Sequence, residues 1–217
     1  MIVRLVTNSL LPKALGPSSY GNYGYLISIY DSIIYFFRTG IINAYYNYNC
    51  KNNNSYYMNR WFILYSFLVV GFILLITSFS ITYMQDIIWN NIKDVTVFVV
   101  FILVIAIEMQ SIINNYGHSK SLTIPVQKIK ICFLLLQLIV ISILYYLSQL
   151  NIFSFSITLI ISNVLFSLFG VILFRREKVI CQLPDKTKQK PYSEISKYIY
   201  NFSHPLFTLA LFTSLGM

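Results

Sequence analysis

Asp31, Arg38 and Glu108 are the residues in this sequence best placed to do chemistry, because each interrupts a run that is otherwise apolar. An ionisable side chain in hydrocarbon is costly, so such positions are candidate functional sites by default. Asp31 and Arg38 are seven residues apart. That is about two helical turns, which puts both on one face of a single helix. Such a face must point at protein interior or at a water-filled cavity. Arg38 carries a permanent charge and a planar fork of donors that matches phosphate oxygens. The same three residues also admit a structural reading, in which Arg38 pairs with Asp31 or Glu108 between helices.

Other chemistries lack their residues. The chain contains no DxxD or DxD pair for metal–diphosphate work, no GxSxG, no HExxH and no Walker A loop. His118 and His204 are far apart, and each reads as a lone polar side chain. Cys50, Cys132 and Cys181 show no metal-ligand or redox spacing. No metal, cofactor or catalytic group is therefore expected, and the chain is not read as an enzyme. Gln110, Asn114, Gln137 and Asn163 also fall in apolar runs. Interhelical hydrogen bonds account for them.

The elements that must position these residues follow from composition. Of 217 residues, 57% are hydrophobic and only 11% charged, with a mean hydropathy of +0.66. Soluble domains carry about 25% charged residues. The fold expected is all-α, a polytopic transmembrane helix bundle. Crossing a hydrocarbon core takes roughly 20 mostly apolar residues. The spans expected are 1–16, 23–46, 61–83, 95–115, 129–147 and 152–174, together a six-helix lobe over 1–174. A basic cytoplasmic linker, 175–197, follows, then the start of a seventh helix over 198–217. Residues 148–151 are too few for anything but an antiparallel hairpin. The stretch LTIPVQKIK reads as a short interfacial helix with Pro125 at its bend or start. Gly40 provides a point of close approach or a break in the second span.

Orientation follows from basic residues. With the N-terminus cytoplasmic, thirteen of the sixteen Lys and Arg fall inside, two (Lys13 and Lys93) outside, and Arg38 within a span. The net charge of +9 is thus assigned to a cytoplasmic membrane face and not to nucleic-acid binding. Tyr20, Trp61, Trp89 and Tyr145 near span ends fit interfacial anchoring.

Leu15 to Tyr25 reads LGPSSYGNYGY, between the apolar RLVTNSLLPKA and the second span. Gly16 and Pro17 stop one helix, and Gly21 and Gly24 reopen the chain into the next. This resembles the helix–turn–helix at the start of the polysaccharide flippases, the O-antigen or Wzx-type branch of the multidrug/oligosaccharidyl-lipid/polysaccharide exporter superfamily. YIYNFSHPLFTLALF (198–212) is similar to the start of that family's seventh helix. The other spans match in hydropathy and topology alone. The resemblance implies two six-helix lobes around a central cavity. It implies a substrate that is an undecaprenyl-diphosphate-linked oligosaccharide, moved from the cytoplasmic to the outer leaflet of the inner (plasma) membrane for O-antigen, lipopolysaccharide or capsule biosynthesis. It also implies that Arg38 holds the diphosphate; Asp31 and Glu108 stand as candidate cavity residues on the cost of their charge in the spans. The chain is expected to be an N-terminal half, completed by a missing C-terminal half or by a homodimer. The competing expectations are a membrane-embedded acyl- or prenyl-type transferase, and a different transporter or partner subunit.

Overall fold

The structure is a computed structural model describing residues 2–38, 40–51, 56–83, 88–89, 92–177 and 193–202. It is all-α: 93% helical, with no strand among the described residues. The helices in chain order are α1 (Ile2–Arg38), α2 (Ile41–Lys51), α3 (Tyr56–Tyr83), α4 (Asp94–Ser119), α5 (Thr123–Tyr146) and α6 (Ile152–Arg176). A short α7 covers 193–202. Four of these, α3 to α6, are long and apolar enough to cross a membrane, and a fifth span arises if α1 and α2 are taken as one bent unit. The chain is a membrane-embedded helix bundle. His204, Cys181, most of the 175–197 linker and 203–217 of the expected seventh helix lie outside the described residues.

Glycine backbone freedom decides the course of the first two helices. Gly16 takes φ 76 and ψ 162, a combination essentially restricted to glycine, and breaks α1 there. The break is confined to that residue, whereas LGPSSYGNYGY suggested a longer turn. Pro17 follows it, where a missing N–H costs least. The expected second span, 23–46, is itself divided. Helix α1 ends at Arg38, Gly40 takes φ 82, and α2 leaves at 44° to α1. The break frees carbonyls that hydrocarbon cannot satisfy. Tyr65 Oη donates to the Phe37 carbonyl at 2.6 Å, and the Ala44 N–H donates to the Gly40 carbonyl at 2.8 Å to start α2.

The α4–α5–α6 side is closely packed. Gly170 lies on Ile113 Cγ2, and a Cβ on Gly117 would stand 2.7 Å from Val126 Cγ2 and 3.5 Å from Phe174. The matching pairs 113/170 and 117/174 show that α4 and α6 run parallel. Helix α5 runs back antiparallel against α6, with Phe133 meeting Phe166 and Phe169 and, further along, Ile141 clustered with Phe155. Small residues that admit close backbone approach are how helices associate where lipid is as apolar as the side chains.

Local signals set the ends. After α4, Ser121 adopts φ 59, Leu122 N–H donates to Gly117 O and Ser121 N–H to His118 O. After α5, Ser148 adopts φ 56 with the same pattern onto Leu144 and Tyr145. Both are left-handed C-terminal caps of the kind usually built on glycine. Asn151 and Ser154 then form a reciprocal capping box that starts α6. Pro125 sits in the first turn of α5, so the LTIPVQKIK stretch is continuous with the span it precedes.

Candidate functional site

The second half of α1 is the hub of the charged region. Tyr30 is buried against Trp89 and Phe101, and Thr77 Oγ1 donates to its hydroxyl at 3.4 Å. Trp89 Nε1 donates to Ser80 Oγ at 3.1 Å. These contacts hold α1 parallel to α4 and antiparallel to α3, and they set the register of Arg38. Its guanidinium pairs with the Glu108 carboxylate through Nη1, and Nη2 donates to Ser111 Oγ at 3.0 Å. The two charged side chains are 14% and 16% exposed, so the pair lies within the bundle. Of the two pairings open to Arg38 from sequence, the structure forms the one with Glu108. Asp31, two turns earlier on the same helix, is exposed.

Two spaces meet at this pair. One is a cavity of about 440 Å³ enclosed by α1, α3, α4 and α6, its walls almost entirely apolar. Arg38 and Glu108 supply its charge; Ser66 and Ser167 are minor polar members, and Ser167 Oγ is turned back to the Asn163 carbonyl at 2.8 Å. The other is a groove of about 880 Å³ along α1, where Ser28, Asp31, Ser32 and Arg38 alternate with Ile27, Ile34, Tyr35 and Ile42. Arg38 and Ile34 border both spaces. Helices α3 and α6 both line the cavity, and their backbones do not approach closely among the described residues. Its mouth, edged by the exposed Phe67 and Leu168, therefore opens sideways in the direction of bilayer lipid.

The site thus brings together Arg38 and Glu108, and sets Asp31 midway along the adjoining groove. Ser111 and Tyr65 were not singled out from sequence. Ser111 lies one turn beyond Glu108 on α4, so its i+3 spacing could have found it. Tyr65 carried no such signal, because its role depends on a backbone break in another helix. Asn114 Oδ1 is buried without a hydrogen-bond partner among the described residues. His118 is ten residues past Glu108 on α4, about 15 Å along the axis. Its Nδ1 lies 3.1 Å from Thr123 Oγ1, so histidine and glutamate form no catalytic pair. Among the described residues no group of three His, Cys, Asp or Glu side chains could hold a metal ion. Beyond the spans, burial pushes the Lys120 amine down to about 8, and its Nζ sits 5.7 Å over the Tyr116 ring.

Fold and site define a polytopic helical membrane protein with a charged pair at a broken helix and a cavity open to lipid. No family model, curated protein or solved structure matches the chain.

Proposed function

We propose that the chain is a carrier, or one half of a carrier, which moves an undecaprenyl-diphosphate-linked oligosaccharide from the cytoplasmic to the outer leaflet for surface polysaccharide biosynthesis. The observation that carries this reading is the position of Arg38. It lies at the break of a discontinuous span, inside the bundle, and lines both an apolar cavity and the groove that carries Asp31. An amphiphile with an anionic link between its lipid and sugar parts needs those three environments in that order. Broken helices at ligand sites are the usual device of membrane carriers. LGPSSYGNYGY, with its glycine break at Gly16, adds the family resemblance. The basic residues Lys51, Arg60, Lys120, Lys128 and Lys130 fall at the same end of the spans, which supports a cytoplasmic placement of that face in an inner membrane.

The test is export of surface polysaccharide in flippase-deficient cells supplied with the chain in its full genetic context. Arg38→Ala is expected to abolish export while the protein still inserts, and Arg38→Lys to retain part of it, since lysine keeps the charge and loses the fork. Wild-type export by Arg38→Ala would remove the guanidinium from the transport path.

The transferase reading has no support of comparable kind, because the described residues offer no acid–base or metal constellation beside the cavity.

A further inference from the structure

The cavity bordered by α3 and α6 is walled mainly by apolar side chains, with its charge confined to Arg38 and Glu108. Its volume falls within the range of small-molecule sites. It is too small for a complete long-chain polyprenol. Its open side is edged by Phe67 and Leu168, exposed apolar residues of the spans α3 and α6, so the solvent available there is lipid.

We propose that this cavity is a chain subsite, taking one hydrocarbon segment of a phosphate-bearing lipid whose phosphate is held by Arg38 and whose headgroup extends along the Asp31 groove. This deepens the carrier reading and rests on it for the identity of the natural lipid. Three observations converge. The apolar cavity and the groove that carries Asp31 share Ile34 and Arg38 as lining residues, so a molecule held at Arg38 borders both. Of the five N–H donors on a guanidinium, Glu108 and Ser111 engage two, which leaves donors for phosphate oxygens. Along the groove Ser32, Asp31 and Ser28 lie about 9 to 15 Å from Arg38 along the helix axis. A carboxylate flanked by hydroxyls accepts hydrogen bonds from a hydroxyl-rich headgroup and repels a second anionic group. The subsite therefore places the anionic phosphate linkage at Arg38, with a neutral polyol beyond it along the groove.

Glu108 shares the guanidinium with the phosphate and competes for it. The two partners of one ion pair should thus act with opposite sign on lipid binding. Removing Arg38 loses the phosphate, and neutralising Glu108 strengthens its hold. A purely structural pair gives the same sign for both.

The experiment uses the full chain in phosphatidylcholine vesicles. The probe is phosphatidic acid with a diazirine in one acyl chain, and the matched diacylglycerol is the uncharged control. After irradiation, adducts are mapped by mass spectrometry on the half-buried lining residues Ile105, Val164 and Val171. The lipid-exposed α5 residues Leu135 and Ile139 report bulk lipid and intact insertion. The cavity-to-α5 labelling ratio is expected to be about tenfold higher for phosphatidic acid than for diacylglycerol, the effect of one charge-assisted contact. Arg38→Gln should bring it down to the diacylglycerol value, and Glu108→Gln should raise it. The double variant Arg38→Gln/Glu108→Gln, which strands no charge, should match Arg38→Gln and so exclude misfolding. Millimolar inorganic phosphate should leave the ratio unchanged. Equal ratios for the two probes, or equal-signed effects of the two single variants, overturn the proposal. So does full displacement by free phosphate, which marks an anion site without a chain subsite. Loss of cavity labelling with α5 labelling intact also overturns it, since a protein segment then fills the mouth. Phosphate-selective labelling in a protein whose export ignores Arg38→Ala sinks the carrier reading alone. Arg38-dependent export without selective labelling sinks the subsite alone.

Discussion

Where α6 meets α4, a single added methyl group collides with Ile113; where α6 faces α3, the helices stand apart around about 440 Å³ of open space. The first contact is made through Gly170 and Gly117 and runs along two parallel helices. The second region holds the charged pair and the broken span, and α3 keeps its place through polar and aromatic contacts. Among these are Tyr65 on the Phe37 carbonyl, Phe37 edge-on to Phe72, and Tyr45 stacked on Phe62. Close packing of small residues fixes a scaffold in lipid. Directional contacts around glycine breaks hold a side that can open. Helices α4 to α6 thus form the rigid frame, and α1 to α3 the working face.

The contrast can be broken most severely at the ion pair. Glu108→Ala strands the Arg38 charge inside the bundle and is expected to cost about 3 kcal/mol or more, whereas removing both charges together should be nearly neutral. Thermal unfolding in detergent for the two single variants and the double one checks this non-additivity. Next is the frame. Gly170→Ala should cost roughly 1–3 kcal/mol through overpacking against the stiff branched Ile113. Adding Ile113→Ala should recover much of that, since Ile113 Cβ itself lies 3.7 Å away, an ordinary contact. Failure of the rescue would mean that α4 and α6 are not held at that register. On the working face, Gly16→Ala meets a backbone conformation closed to side chains and should cost about 1–3 kcal/mol. The strain there is purely conformational, because a Cβ at Gly16 would point into open space. The smallest effect is at the rim. Lys120, held near 8 by burial, has its folded-state amine half neutral at about that pH, so acylation should rise through pH 8 in the folded protein. On unfolding the rise should move toward the ordinary lysine range, about 10. The folded state disfavours the charged form, so this residue makes folding more favourable as pH rises from 8 to 10.5.

Much of the frame was legible in the sequence, because hydropathy over twenty residues is a strong signal and α3 to α6 are long, uninterrupted and apolar. The short 148–151 link and the glycine signals at Gly16 and Gly40 were legible for the same reason: their physics is local. The extent of the Gly16 break was not, since LGPSSYGNYGY is rich in helix breakers and yet remains helical after one non-helical residue. At the site, the cost of charge in hydrocarbon exposed Asp31, Arg38 and Glu108. The choice of Glu108 over Asp31 as partner depends on the register between α1 and α4, which Tyr30, Trp89 and Phe101 set through tertiary packing. The cavity could not be read at all, because it is a gap between two helices and no residue type marks a gap.

The central claim is that a guanidinium serves transport from position 38, where it borders both cavity and groove. Exchanging the charges as Arg38→Glu/Glu108→Arg preserves the ion pair but moves the guanidinium to a residue that borders the cavity alone. Surface polysaccharide export by this variant, measured against its inserted amount, is predicted to fall to background while insertion stays near wild type. Wild-type export by the exchanged pair would show that the charges serve only to hold α1 against α4.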